Sequence, residues 1–420
     1  MTVEQFLADI NRTFTGPQDD QKFQTLTRLL CVDPTENRYV TSIYNNTAAS
    51  SHVSSSIHTE YDADWPAFGS VVSSFIRLCQ LCDPWSALRS FDLYTTYLND
   101  LSIAFNNNNF GWLLSGVIKS TIGMVLPWAL RLDRSMFQRE QGGRYRLGFM
   151  ASVLLKIFNN IRVNDTNKYK KSIMLYLGNK LCYIYWKLDN PLLCRNIFSN
   201  MNNTSLKIDD FPRGEQLKYR FYLAKYYFIK YELIECFRHL SWCLVNTSSA
   251  KNQKLVIELL LPVSLVLGKK PNFGSLQQQV HDASVHEALH IYSELFRVVA
   301  RGDHQSFTLL LERNHHYLKR NNALLLMNRV EILLYRNLVR HVWRILGQPL
   351  SVAIDVVPTL ESDSLFKENL FVSLIDSNMI KGKLTTKGVL VLSKTDTFPD
   401  VFDIYTKRFG TRNGQANDWM

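Results

Sequence analysis

The chain has 420 residues, of which 46% are hydrophobic and 20% charged, and it carries a formal net charge of +11. Length allows one large or two ordinary domains, and the composition is that of a globular protein with an extended core, not of a disordered chain. The positive excess fits an acidic partner (nucleic acid, acidic protein or anionic surface) and does not choose among them.

Residues 1–14 are amphipathic and include Glu4 and Asp9, which argues against a signal or transit peptide. Residues 41–60, rich in Ser, Thr and Asn, are expected to form a mobile loop. At Asp83-Pro84-Trp85-Ser86 a helix is expected to begin, with Asp83 as its cap and Pro84 in its first position. Residues 106–109 read as a loop, and 141–143 as a loop or helix boundary. Two apolar stretches fail as membrane spans. Residues 110–130 contain Lys119 and Pro127, and residues 255–267 are too few and include Glu258. Both are expected as buried helices. Seven cysteines, an odd number, suit a reducing compartment, cytoplasm or nucleus.

From about residue 170 the pattern becomes regular. Residues 172–188, 191–201, 215–230 and 232–245 read as helices joined by short turns, continued by 255–267, 285–300 and 306–318. Such helices pair as hairpins and stack, each burying the apolar face of its neighbour. No strict period is present, so the array is a degenerate, TPR-like solenoid. Tyr219, Tyr222, Tyr226 and Tyr227 read as core and groove lining.

One long helix is expected over residues 324–346. Arg329, Arg336, Arg340 and Arg344 fall at i, i+7, i+11 and i+15 and so share one arc of it. Gly347-Gln348-Pro349 breaks the helix, and a short apolar helix at 350–357 is expected to stop at Pro358. A third helix, 364–377, has Asp363 or Ser364 to cap it. Strands at 379–384 and 389–394 then close a hairpin through Thr385-Thr386-Lys387-Gly388. Three helices and a two-stranded wing make a winged helix. The fold class is therefore mostly α, a helical-repeat solenoid ending in a C-terminal winged helix. Four segments are expected: an N-terminal helical region at 1–165, repeats at 166–323, the winged helix at 324–400 and a tail at 401–420.

Motifs with chemical potential are weak. His286-Glu287-Ala288-Leu289-His290 matches H-E-x-x-H, which on a helix sets both histidines on one face for zinc, with Glu287 as base. It lacks a third ligand in any recognisable motif, since only Glu294 and Glu312 follow at a plausible distance. Two surface histidines are the simpler reading. Cys79 and Cys82 have half-zinc or redox spacing without a second pair or a preceding strand, and read as core cysteines. His315-His316, followed by Lys319 and Arg320, reads as a basic corner. Residues 267–270 lack phosphate-loop spacing. No catalytic residue, metal or cofactor is expected.

The basic surface remains. Lys381 and Lys383 alternate along a strand, Lys387 sits at the wing tip, Lys394 lies beyond it, and Lys407, Arg408 and Arg412 extend the charge into the tail. With the arginine arc these suit phosphate contact. The third helix offers Lys367, Glu368 and Asp376, too neutral a set for base reading. Sequence-nonspecific RNA or DNA binding is expected through Arg329, Arg336, Arg340, Arg344, Lys381, Lys383, Lys387 and Lys394. Lys367, Phe371, Met379, Val389 and Val391 are expected at a protein interface on the third helix and strand edge.

The architecture resembles that of PCI-domain proteins, found in the proteasome lid, the signalosome and translation-initiation scaffolds. Within that family it is similar to the PCI subunits of transcription-and-export complexes of TREX type 2. The residues that carry the resemblance are Asp83 to Ala87, Leu175-Tyr176-Leu177-Gly178-Asn179-Lys180-Leu181 and Pro191 to Phe198. Tyr219-Arg220 with Tyr226-Tyr227, Pro262 with Leu267-Gly268-Lys269, Tyr335-Arg336-Asn337-Leu338 and the hairpin through Phe398-Pro399 complete the set. They cover most of residues 80–400. The resemblance implies a non-enzymatic nuclear scaffold at the nuclear pore, paired through its winged helix with a larger PCI scaffold subunit. It also implies a small, acidic, disordered subunit shared with the proteasome lid, a platform for RNA or DNA, and no membrane. A sister PCI subunit, associated with the signalosome or with transcription and splicing, fits the same residues.

Overall fold

A computed structural model describes residues 2–15, 18–46, 64–163, 167–204, 206–280, 283–359 and 363–410. The chain is mostly α-helical and forms two compact units, one within residues 1–219 and the other within 220–416. Most of the expected loop at 41–60, and Arg412 of the tail, lie outside the described residues.

The first unit runs through α1 (Val3–Thr15), α2 (Asp19–Leu29), α3 (Arg38–Asn45), α4 (Pro66–Leu81) and α5 (Ala87–Ala104). It continues with α6 (Ser115–Met136), α7 (Tyr145–Val163), α8 (Lys168–Ser172), α9 (Met174–Lys187) and α10 (Cys194–Asn202). Its core is aromatic: Phe6, Phe68, Phe75, Tyr97, Phe105 and Phe158 are fully buried. Rings of this size each contribute roughly 1.5–3 kcal/mol when removed from water. Their polar atoms find partners. Tyr97 donates to the Leu30 carbonyl at 2.8 Å and the Trp65 indole to the Ala104 carbonyl at 3.0 Å.

Two expectations are corrected here. Residues 41–45 are not loop but the end of α3, which Asn37 caps and which Tyr39 and Ile43, one turn apart, anchor in the core. The helix after Asp83 begins only at Ala87, capped by Ser86, whose hydroxyl accepts from Arg89 N. Asp83 instead braces the turn before it. Its carboxylate accepts from Trp85 N, and the Ser90 hydroxyl bridges its own N–H and carbonyl. Trp85 is left 95% exposed.

Among the described residues one helix, Gly111–Met136, is long and apolar enough to cross a membrane. Its Val117, Ile118, Ile122, Val125 and Leu126 are buried within the unit, against α2, α5 and α7. A lysine is buried nearby. Lys170 Nζ donates to the carbonyls of Phe105 (2.8 Å) and Asn107 (3.1 Å) just past the end of α5, where its charge answers the negative end of the helix dipole. Burial pushes its pKa down to about 8, so it remains charged at neutral pH. The contact joins the chain before and after residue 165.

The second unit takes up the chain within α11 (Arg213–Ile229), followed by α12 (Leu233–Val245), α13 (Ala250–Val266), α14 (Phe273–Gln279) and α15 (Ala283–Arg301). The helix expected at 306–318 is two, α16 (His304–Arg313) and α17 (His315–Arg320), with Asn314 between them. The long α18 (Leu324–Ile345) leads into the last module. There the short helix expected at 350–357 is replaced by strand β1 (Ser351–Ala353) and a single 3-10 turn, Ile354–Val356. Helix α19 (Ser364–Asp376), capped by Asp363, is followed by β2 (Gly382–Leu384), β3 (Val389–Leu392) and α20 (Val401–Phe409). The sheet is antiparallel in the order β1–β3–β2, with Ser351 and Lys383 both opposite Val391. Gly388, at φ +68°, closes the hairpin turn. Helix, strand, helix and hairpin in this order form a winged helix.

A buried histidine gives this unit a pH dependence. His239 on α12 stacks on Tyr227 at 5.8 Å, and neither ring nitrogen has a partner among the described residues. Burial, then Arg220 and Arg238, push its pKa down to about 3. The unfolded imidazole takes up its proton near pH 6.5, so between these values the unfolded state binds more protons and stability falls as pH falls. The expected loss is about 2 kcal/mol between pH 6.5 and 5. His304, pushed down to about 4 by burial, acts in the same direction. Urea midpoints at pH 7.5 and 5 should converge in His239→Leu relative to the parent; an unchanged difference would exclude His239 as the source.

Candidate interface on the winged helix

Helix α18 is the element on which the module is built, and four consecutive residues fix it. Tyr335 packs against the buried His304 with the rings tilted by 40° and their centroids 3.8 Å apart. The Arg336 guanidinium donates to the carbonyls of Phe398 (3.2 Å) and Pro399 (2.7 Å) and to the Asn337 side-chain oxygen. The Asn337 amide donates to the Val299 carbonyl near the end of α15 (2.8 Å). Leu338 lies directly under Gly302, which turns the chain from α15 into α16 at φ +73°.

The arginine arc is therefore divided. Arg336 is 4% exposed, and burial, then Arg340, push its pKa down to about 10; it is charged but spent on the module's own carbonyls. It is removed from the phosphate-contact set. Arg340 is half-buried, with its pKa lowered first by burial and then by Arg344. Arg329 and Arg344 are exposed, Arg329 over the Tyr231 ring at 4.6 Å. In the hairpin, Lys381, Lys383, Lys387 and Lys394 are all exposed. Lys381 is bound to Asp396 at 2.6 Å, whereas Lys383, Lys387 and Lys394 have no ion pair among the described residues.

The residues expected at a protein interface divide likewise. Phe371 and Met379 are core, 0% and 3% exposed, so neither can face a partner. Lys367 is also buried, its ammonium donating to the Asp355 carbonyl at 3.3 Å. Val389 is half-buried and Val391 exposed on the outer face of the sheet. Without Lys367, the outward face of α19 presents Leu365 and Val372 with Glu368 and Asp376, an apolar and acidic surface that repels phosphate.

Three cations not anticipated join Arg340 and Arg344. Lys270, Arg336, Arg340, Arg344 and Asp400 line a depression of 500 Å³, and Lys270 also lines a neighbouring one of 790 Å³ with Arg297 and Arg301. Asp400 is drawn toward Lys269 at 3.6 Å. The signal was present in Gly268-Lys269-Lys270 and in the i, i+4 pair Arg297/Arg301, but only the fold sets them beside α18.

The other motifs assemble no centre. His286, Glu287 and His290 lie on the exposed face of α15, with Ala288 and Leu289 inward, and His290 is 3.9 Å from Glu294. No group of three or more His, Cys, Asp or Glu that could hold a metal occurs among the described residues. All seven cysteines are free thiols; burial pushes Cys79 well up, away from the reactive thiolate. His315 and His316 are exposed beside Lys319 and Arg320.

Comparison with known proteins agrees with this architecture. Over most of its length the chain is similar to PCI-domain proteins, and helical repeats running into a winged helix are the architecture that this similarity implies. The chain resembles the nuclear mRNA export protein THP1 of Saccharomyces cerevisiae, 26% identical over 365 residues, covering 80% of this chain and 79% of that protein. A PCI domain-containing protein of Schizosaccharomyces pombe is 24% identical over 93% of this chain and 94% of its own length. A CSN12 homolog of Neurospora crassa is 22% identical over 81% and 83% respectively. No family model matches the chain.

Proposed function

We propose that the chain is a non-enzymatic scaffold subunit of a nuclear complex that couples transcription to mRNA export at the nuclear pore. In this reading it pairs with a larger PCI-containing subunit, clasps a small acidic one, and offers its winged helix to RNA or DNA without reading sequence. The observation that carries the nucleic-acid part is the set of exposed cations that have no acidic partner among the described residues: Arg344, Lys383, Lys387 and Lys394, with the half-buried Arg340 beside Lys270. The apolar and acidic face of α19, with Leu365 and Val372 outward, suits a protein partner and supports the pairing. A second reading, a subunit of a signalosome-associated complex, is supported by the Neurospora crassa relative.

The test is single-stranded RNA binding across a salt series, with the chain alone and with its co-purifying partners. Reversal of Arg344, Lys383 and Lys387 to Glu is expected to lower the slope of log affinity against log salt by about 0.7 per lost phosphate contact. An unchanged slope and affinity would assign these residues to acidic protein partners. The proteins that co-purify decide between the export and signalosome readings.

A further inference from the structure

A groove of 730 Å³ between α5 and α7, in the first unit, is lined by carboxamides. Asn99 on α5 and Asn106 just past its end face Asn159 and Asn160 on α7, with Lys156 one turn earlier and Ile103, 52% exposed, between the α5 pair. None of the four asparagines makes a side-chain hydrogen bond among the described residues, and Asn160 Oδ1 is buried without a partner. Asn106 is exposed and Asn99, Asn159 and Asn160 are half-buried, so their amides open onto the groove, while Asn160 Oδ1 alone is buried and unpaired, which buried polar atoms in native folds seldom are.

A carboxamide offers an N–H donor and a C=O acceptor side by side, the same pair a peptide group offers. Several in a row match an extended main chain whatever side chains it bears. Nucleic acid fits poorly: Lys156 is the one cation in the lining, too few for a phosphate backbone, and the lining has no aromatic ring for a base to stack on. We propose that this groove binds an extended peptide segment of a partner protein through its main chain. Ile103 supplies apolar contact, and Lys156 favours a segment carrying a carboxylate. The site is separate from the winged helix and does not rest on the nucleic-acid reading.

The test uses the full chain and a positional-scanning library of end-blocked dodecapeptides that includes Asp and Glu, read by fluorescence polarisation. The selected peptides are expected to lose affinity roughly tenfold or more on Asn99→Leu with Asn160→Leu. N-methylation of alternate peptide amides should abolish binding, whereas alanine replacement of single peptide side chains should be tolerated. Lys156→Glu should reverse the preference for acidic positions. Should the double asparagine variant fail to fold, Ile103→Arg, at an exposed position, blocks the groove and carries the same test. The proposal is overturned if no library peptide distinguishes the parent from Ile103→Arg, or if N-methylated peptides bind as well as their parents.

Discussion

Gly302→Ala is expected to cost the protein about 3–5 kcal/mol, more than any other single methyl addition considered in the second unit. A Cβ there would lie 2.4 Å from Leu338 N and 2.5 Å from its Cα, so the clash is with backbone of α18 and no rotamer change relieves it. The left-handed conformation, φ +73°, adds a further penalty of about 1–2 kcal/mol for a residue with a Cβ. Gly347→Ala is the internal control. It has a similar φ of +81° but nothing within 4 Å, so only the backbone penalty of about 1–2 kcal/mol applies. Urea titration of both variants isolates the packing contribution. Equal midpoints would mean that α18 does not hold the turn as closely as the geometry states.

The second large effect concerns Arg336. Arg336→Met is expected to destabilise the protein by about 2–4 kcal/mol, since the carbonyls of Phe398 and Pro399 lose a charged donor in a buried place. Arg336→Lys should recover little, because one ammonium on a shorter reach does not reproduce a fork that serves two carbonyls and Asn337. Hydrogen exchange should rise in the hairpin and the approach to α20, while on the proposed nucleic-acid reading the salt slope for RNA stays that of the parent. Arg344→Met is expected to do the opposite, changing stability by no more than about 0.5 kcal/mol and lowering the slope. If Arg336→Met weakened RNA binding with stability intact, the division of the arc into buried and exposed arginines would be wrong.

Much of this was legible in the sequence. Most helices from residue 215 onward lie close to their expected positions, because apolar spacing and caps such as Asp363 are local signals, although α13 starts early at Ala250 and the segment at 306–318 is two helices. The hairpin was equally local, set by Gly388 between two short alternating runs. Residues 350–357 were not legible in this way. A short apolar run serves helix or strand alike, and β1 exists because β3 lies beside it, with Leu392 N donating to the Leu350 carbonyl some forty residues away. The arginine arc shows the same limit. Helical spacing puts Arg336 and Arg344 on one side of α18, but whether either is covered depends on Phe398 and Pro399. Phe371 and Met379 were expected at a surface for the same reason: periodicity marks an apolar face without saying what fills it. Asp83 failed as a cap because Ser86 stood closer to the first helical turn.

The neighbours Arg336 and Asn337 reach in different directions from one turn of α18, one to the end of the hairpin and one to α15. The wing and the last repeat are thereby held in a fixed relative orientation before any ligand arrives. A strand of nucleic acid or a partner domain that touches both meets a surface whose rotational freedom was already lost on folding, so little ordering entropy opposes association. For a partner that binds across both surfaces, as proposed, the same contacts would set a geometric tolerance, because the two surfaces are tied to one turn of α18 and cannot swing independently.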